Sequence, residues 1–504
     1  MREERADVVI IGSGAGGGTV AKALAPLCRE GARIVVLEWG PRLADEEFAT
    51  PAAGRELTMA RKLYVEAGGV LNAERTMTLA FGRGYGGSTV VYTGTSLIIP
   101  QATLARWGVP GLSWEDIARR SRIYMQENNV HFLDEDALND NNTLFRDACE
   151  KLGYRVEQFP INVKGCKGSS LCNLGCPNAA KQGTNRVQLP AAEREGVEVI
   201  TNCKALRIGE REVIARVANA PFGLPSPWPE GDVRVTARAV VVAAGAVNSP
   251  ALLLRSRLPV SLPALGRYFT AHPALILVGE HERPITNFYG HPKSFYCDHF
   301  AETHGFLLET CMYFPFTTAK NLIGFGAEHS ELMRRMDRMQ MILVLAIDPA
   351  LAENRVTVGP DGEPIVHYRF TDGVLDSLLE SMKVSARIFF AAGARRVHAP
   401  AGERFFIEAS EVDRLDERIT RRRLVPGRIS ISSAHLMGGC RMGSDRETSV
   451  TDSWGQVHGV PWLFVADASL FPRAAEINPY ITIMALADRV AERVRAYLEG
   501  ARPS

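Results

Sequence analysis

The hydrophobic residues of this chain form continuous runs near its start, middle and end. The runs are ADVVII at residues 6–11, ARIVVLE at 32–38, AVVVAA at 239–244 and WLFVA at 462–466. Unbroken apolar runs beside glycine are typical of strands buried on both faces of a parallel sheet. Residues 17–25 have helix-forming composition, which completes a strand–helix–strand unit. These strands predict one discontinuous domain, placed at residues 1–265 and 436–504.

Residues 266–435 follow a different pattern. Apolar runs at 274–278 and 341–347 precede a hairpin-like pair, 355–358 and 364–369, and residues 372–392 have the spacing of an amphipathic helix. Strands followed by a helix, without strand–helix alternation, predict a separate substrate-binding lobe with a largely antiparallel sheet flanked by helices. The predicted fold class is therefore α/β, with a discontinuous Rossmann-like domain and this second lobe.

Charge and composition narrow the function. The 504 residues include 58 Lys and Arg against 57 Asp and Glu, for a net charge of +1. A nearly neutral chain does not favour nucleic-acid binding, which needs a basic face. The longest apolar stretch, 341–347, is far shorter than the ~20 residues of a membrane span. No export signal follows Met1, so we expect a cytoplasmic protein.

The turn after the first strand carries a dinucleotide motif. Gly12, Gly14 and Gly17 fit the pattern G-x-G-x-x-G, with Ala15 at the expected start of the helix. Such glycines permit a tight turn and a close approach of the backbone to a pyrophosphate. Glu38 closes the second strand, where a carboxylate can hold an adenosine ribose. The motif alone does not distinguish FAD from NAD.

Further stretches resemble the glucose–methanol–choline (GMC) family of FAD oxidoreductases, in family order. They are GRGYGGST at 82–89, LGRYFTAHP at 265–273, HLMGGCRMG at 435–443, VADASLFP at 465–472, NP at 478–479 and ALA at 485–487. The resemblance implies that the discontinuous domain binds FAD. It implies cofactor contacts from Gly12, Gly14, Ala15, Gly17, Glu38, Gly86, Gly87, Ser88, Ala244, Asp467, Ala468 and Pro479. Asp467 also has a simpler interpretation as a helix cap.

The same resemblance places two polar residues, His435 and Asn478, against the substrate carbinol. A neutral imidazole, with an ordinary pKa of about 6.5, is suited to removing a proton from an alcohol. Asn478 cannot act as a base, but its amide can orient the hydroxyl and stabilise an alkoxide. Independently of the family, Asn478 and Pro479 predict a helix N-cap and first helical residue, with the helix running through 481–498.

The predicted reaction is oxidation of a CH–OH group of a sugar, sterol, aryl or aliphatic alcohol, with the proton going to His435 and the hydride to flavin N5. The electrons then pass to oxygen, a quinone or a cytochrome. Two alternatives stay open: a non-redox enzyme like the hydroxynitrile lyases, and the catalytic subunit of a dehydrogenase with an electron-transfer partner. Within the family pattern, Tyr92 replaces a flavin-contacting Asn, which leaves a covalent flavin link undecided. His272 is expected to be structural.

Three cysteines, Cys166, Cys172 and Cys176, lie within eleven residues. They could ligate an iron–sulfur cluster, and three ligands without a fourth suit a 3Fe-4S cluster. Zinc fits less well because it normally takes four ligands. A loop of free thiols is the competing interpretation, and the spacing resembles both cluster-bearing sugar dehydrogenases and long-chain alcohol oxidases of the family.

Overall fold

The first sheet of the protein is mixed and has seven strands. The computed structural model describes residues 1–48 and 56–500. In spatial order the strands are Glu198–Ile200, Ile34–Leu37, Arg2–Ile11, Gly231–Val242, Glu212–Val217 and Cys203–Gly209, with Leu463–Val465 also paired to Gly231–Val242. The predicted discontinuous parallel sheet is therefore confirmed, with an antiparallel hairpin added at one edge.

The buried centre of this sheet explains its unbroken apolar runs. Residues 8–11 pair in parallel with 34–37 on one side and with 239–242 on the other. All three stretches are buried, because helices cover both faces of the sheet. The third strand was predicted too short, because it begins at Gly231. Its added segment alternates between polar and apolar residues and pairs with the hairpin on one side and with residues 2–6 of the first strand on the other.

The second sheet has ten strands and is antiparallel except for one pair. Its main path is Val70–Leu71, Thr78–Leu79, Ser432–Ser433, Ala274–Glu280, Met339–Ala346, Phe306–Thr310, Phe295–Cys297 and Glu157–Gln158, with Arg396–His398 and Phe406–Glu408 at the side. The largely antiparallel lobe is confirmed. Three of its short strands come from residues before 266, so the N-terminal segment also contributes to this sheet.

Three two-stranded sheets complete the strand content of the described residues. They are Thr270–Ala271 with Leu436–Met437, Arg355–Val358 with Pro364–His367, and Val130–His131 with Ile161–Asn162. The predicted hairpin corresponds to the second of them. The first lies where the chain crosses between the two lobes, and it sets the relative position of two histidines.

Helices surround the sheets. Their bounds are Ala15–Leu24, Pro26–Arg29, Glu56–Leu63, Gln101–Trp107, Trp114–Glu127, Asp140–Lys151, Gln188–Arg194, Gly245–Ser256, Ala301–His304, Pro315–Asn321, Gly326–Arg334, Asp372–Ala391, Leu415–Arg418 and Tyr480–Leu498. Two helices of the discontinuous domain pack against each other: Ala15–Leu24 and Tyr480–Leu498. Within residues 1–48 and 56–500, no helix is long and apolar enough to cross a membrane.

Candidate active site

A cavity of about 470 Å³ is lined by residues of both sheets. Its wall contains most of the candidate site residues that the sequence predicts. They are Gly12, Gly14, Ala15, Glu38, Gly87, Ser88, Ala244, His435, Asp467, Ala468, Asn478 and Pro479. Its volume lies in the usual range for small-molecule and cofactor sites. Gly17, Gly86 and the three clustered cysteines are described residues outside this lining.

The glycine turn at one end of the cavity is held tightly between strands. Gly12 has φ of +101°, and a Cβ there would lie 2.3 Å from the carbonyl oxygen of Ala243. A Cβ on Gly17 would lie 1.9 Å from the carbonyl oxygen of Gly12. Gly17 therefore has a packing role in this structure, because it lets the helix approach the strand, and its expected direct cofactor contact stays a prediction.

The helix that follows this turn starts without a protein cap. Its N-cap residue is Gly14, which supplies no side-chain hydrogen bond, and the first turn carries no acidic residue. The first amides of a helix carry partial positive charge and bind phosphates. A Cβ on Gly14 would touch the protein no closer than 3.9 Å, at Gly87 Cα, so this glycine does not serve close packing. The turn therefore fits a dinucleotide pyrophosphate, and FAD would supply one.

Glu38 is buried and receives four hydrogen bonds from the protein. Its Oε2 accepts from the amide and hydroxyl of Ser13 at 3.0 and 2.7 Å, and its Oε1 accepts from the amides of Gly40 and Gly84 at 2.7 and 3.2 Å. Burial raises the pKa of this carboxyl group, although the hydrogen bonds act in the opposite direction and lower it. Glu38 thus joins the glycine turn to the loop before Gly86. The expected ribose contact stays a prediction.

Asp467 is a second buried carboxylate on the cavity wall. It caps the short helix Ala468–Leu470 by accepting from the amide of Ser469 at 2.8 Å. It also accepts from the amide of Gly245 at 2.8 Å and from the hydroxyl of Ser249. Burial raises its pKa. The simpler interpretation, a helix cap, is therefore present, and a role toward the ribityl–pyrophosphate part of FAD stays a prediction.

His435 and Asn478 lie together, although 43 positions separate them in the chain. The amide nitrogen of Asn478 lies 3.5 Å from Nε2 of His435, at the outer limit of a hydrogen bond. The predicted helix is present, but its N-cap is Pro479 and no side chain caps it. The capping role predicted for Asn478 is wrong, because its side chain faces His435. Both residues line the cavity, so one substrate oxygen could contact both.

The surroundings of His435 favour its neutral form. Burial lowers its pKa well below 6.5, and electrostatic interactions with His272 and Lys293 lower it further. Lys293 lines the cavity and forms a buried ion pair with Glu309. An imidazole with a lowered pKa is unprotonated at neutral pH and is ready to accept a proton.

Tyr92, the departure from the family pattern, lies on the cavity wall with its hydroxyl turned toward the protein. That hydroxyl accepts a hydrogen bond from Asn162, and the ring packs against Tyr480 with centroids 4.7 Å apart. Burial raises the pKa of Tyr92 well above 10. The position is thus filled by a neutral aromatic side chain.

Of the two interpretations of the cysteine loop, the iron–sulfur site finds no support. Cys172 is buried, Cys176 is half-buried and Cys166 is exposed, and all three thiols are free. Among residues 1–48 and 56–500, no three His, Cys, Asp or Glu side chains are placed to hold one metal ion. Burial raises the pKa of the free Cys172 thiol to about 12.

A buried lysine holds the cysteine loop by hydrogen bonds. Lys181 Nζ donates to the carbonyl oxygens of Val90 and Tyr92 at 2.7 Å and of Cys172 at 2.6 Å. It therefore ties the cysteine loop to the glycine-rich segment beside the cavity. A lone lysine gives no recognisable spacing, so the sequence carries no signal for this role.

The wall opposite the glycine turn is mainly apolar. Ile276, Leu343 and Leu345, from adjacent strands of the second sheet, line the cavity together with Met312 and Phe314. Their side chains alternate along the strands, so one face of the sheet covers the cavity. Charged side chains also line the cavity, among them Glu56, Lys293 and Lys320.

The fold and the site have the architecture of a two-lobed dinucleotide-binding protein: a Rossmann-like sheet with an uncapped glycine turn, and an antiparallel lobe that completes the cavity. The chain belongs to the GMC oxidoreductase family, because the N-terminal family model matches residues 60–274 and the C-terminal model matches 350–487. It is therefore an FAD-dependent oxidoreductase of that family.

Relatives in sequence agree with this assignment, and a solved structure shares the fold. A GMC-type oxidoreductase of Mycobacterium tuberculosis is 32% identical over 504 residues, covering 99% of this chain and 77% of that protein. A long-chain-alcohol oxidase of Arabidopsis thaliana is 27% identical over 528 residues, covering 97% of this chain and 66% of that protein. A variant of formate oxidase from Aspergillus oryzae RIB40, studied for FAD modification, shares the fold with a TM-score of 0.73 at 15% identity, covering 99% and 100% of the two chains.

Proposed function

We propose that this protein oxidises the CH–OH group of an alcohol to a carbonyl, with His435 as the base and Asn478 as the group that orients the hydroxyl. The observation that carries the proposal is the convergence of His435 Nε2 and Asn478 Nδ2, 3.5 Å apart, on the wall of the cavity. Bound FAD would supply the hydride acceptor. The protein would hold it through the glycine turn and the residues around Asp467.

The protein's own groups perform the proton chemistry. A hydroxyl placed between the two side chains donates its proton to Nε2 of His435, which is neutral because burial lowers its pKa. The amide of Asn478 donates to the alkoxide oxygen as negative charge develops there. Because Asn478 is buried, this hydrogen bond is stronger than it would be in bulk water.

We further infer that the alcohol has an apolar body and that oxygen accepts the electrons. The apolar wall formed by Ile276, Leu343 and Leu345 supports the first inference, since burial of apolar surface is favourable. A relative named as a long-chain-alcohol oxidase supports both. A sugar, with hydroxyls along its length, would leave many of them unpaired against this wall.

The test is anaerobic reduction of the bound flavin by a panel of alcohols. Aliphatic and aryl alcohols should bleach the flavin absorbance, sugars should not, and admission of air should restore it with formation of hydrogen peroxide. No reduction by any alcohol would contradict alcohol oxidation. If the same sample instead released cyanide from hydroxynitriles without bleaching, the lyase alternative would replace it.

A further inference from the structure

We propose that His272 is a positioning residue that keeps the proton of His435 on Nδ1 and so leaves Nε2 free to act as the base. The inference rests on the proposed alcohol oxidation. It gives a specific role to a histidine that the sequence analysis expected to be structural.

The antiparallel pair Thr270–Ala271 and Leu436–Met437 brings the two rings together. Ala271 is opposite Leu436, so one further step along the same register places His272 opposite His435. The two Nδ1 atoms lie 3.0 Å apart, and the rings meet edge to face with centroids separated by 5.2 Å. This distance is a hydrogen bond, and it requires one donor and one acceptor.

The other side of His435 indicates which ring donates. Nε2 of His435 faces the amide nitrogen of Asn478, and an amide NH₂ group can only donate. Nε2 is then the acceptor, so the proton of neutral His435 lies on Nδ1 and is donated to His272. No described residue bonds to Nε2 of buried His272, so this contact alone couples its tautomer to that of His435.

His272 is also suited to remain neutral during the reaction. Its side chain is fully buried, and burial lowers its pKa to about 4. When His435 takes the substrate proton on Nε2, the Nδ1–H remains in place and His272 accepts from the imidazolium. A neutral acceptor orients the base without adding a negative charge that would raise its pKa. The groups facing His435 are thus His272, Lys293 and Asn478.

The first experiment reads the tautomer directly and does not need turnover. Ring-nitrogen NMR of FAD-loaded protein carrying ¹⁵N-histidine, assigned by loss of a signal in His435→Asn, distinguishes the N–H nitrogen from the bare one. We expect Nδ1–H and a bare Nε2 in His435. Protonation of Nε2 in the neutral ring would overturn the proposal, whether or not any alcohol reduces the flavin.

The second experiment uses matched substitutions of His272. An Asn amide can place an oxygen near the position of Nδ1, whereas a Gln amide reaches the position of Nε2. The rate of flavin reduction should fall by about one to three orders of magnitude in His272→Gln at unchanged FAD content, and His272→Asn should recover most of that loss. Equal rates in the two variants, with equal FAD content, would contradict a positioning role. Failure of the wild type to reduce any alcohol would instead count against the proposed function.

Discussion

Substitution of His435 and Asn478, singly and together, offers the sharpest quantitative test of this site. His435→Ala removes the base, which should slow flavin reduction by about two to four orders of magnitude, or roughly 3–5 kcal/mol of barrier. Asn478→Ala removes one donor to the alkoxide and should cost roughly one to three orders of magnitude. Nε2 and Nδ2 are 3.5 Å apart, and in the proposed mechanism they contact the same hydroxyl, so the two losses should not add.

The double variant is therefore expected to be no more than about tenfold slower than His435→Ala alone. The assay is anaerobic stopped-flow measurement of flavin absorbance with the best alcohol of the panel, at saturating substrate. FAD content, measured after heat release, should be normal in all three variants.

His458→Ala is a matched control. This histidine is also half-buried, burial lowers its pKa, and it bonds to Ser449 away from the cavity. It should reduce flavin at the wild-type rate. Near-wild-type reduction by His435→Ala, or fully additive losses in the double variant, would refute the shared site.

Three further predictions concern the cofactor turn, the cysteine loop and pH. Gly17→Ala should lose FAD or fold poorly, because its Cβ would lie 1.9 Å from the carbonyl oxygen of Gly12, and FAD release with thermal unfolding would show this. Cys172→Ser should keep its FAD and its turnover, and metal analysis should find less than about one iron per chain in both the wild type and the variant. Loss of both iron and turnover in the variant would support the iron–sulfur interpretation instead. Since burial lowers the pKa of His435, flavin reduction should stay at its plateau below pH 6.5 and fall only as pH passes below that lowered pKa; a fall centred above pH 6.5 would contradict it.

The cysteine loop shows what residue spacing alone does not decide. Three thiols within eleven residues satisfy the spacing of a cluster, but spacing does not report burial or the nearest cation. In the folded protein Lys181 binds three carbonyl oxygens around this loop, and Cys172 is buried with a raised pKa. Lys181 has these partners because residues 90–92 pack against the cysteine loop, and this contact is not visible in the local sequence.

The apolar runs and the glycine turn were readable in the sequence because their causes are local. A strand buried on both faces needs consecutive apolar residues, and Gly12, with φ of +101° under the carbonyl of Ala243, favours glycine. Asn478 shows the limit of such local rules. It satisfied the pattern of an N-cap, yet its side chain meets His435. The contact between His272 and His435, 163 positions apart, depends on the register of a two-residue ladder, and no periodicity in the chain encodes that register. The buried parts of the strands, the glycine turn and the family could thus be predicted from local patterns. The contacts between ring and amide nitrogens could not, because a hydrogen bond depends on distances that only the packed chain defines.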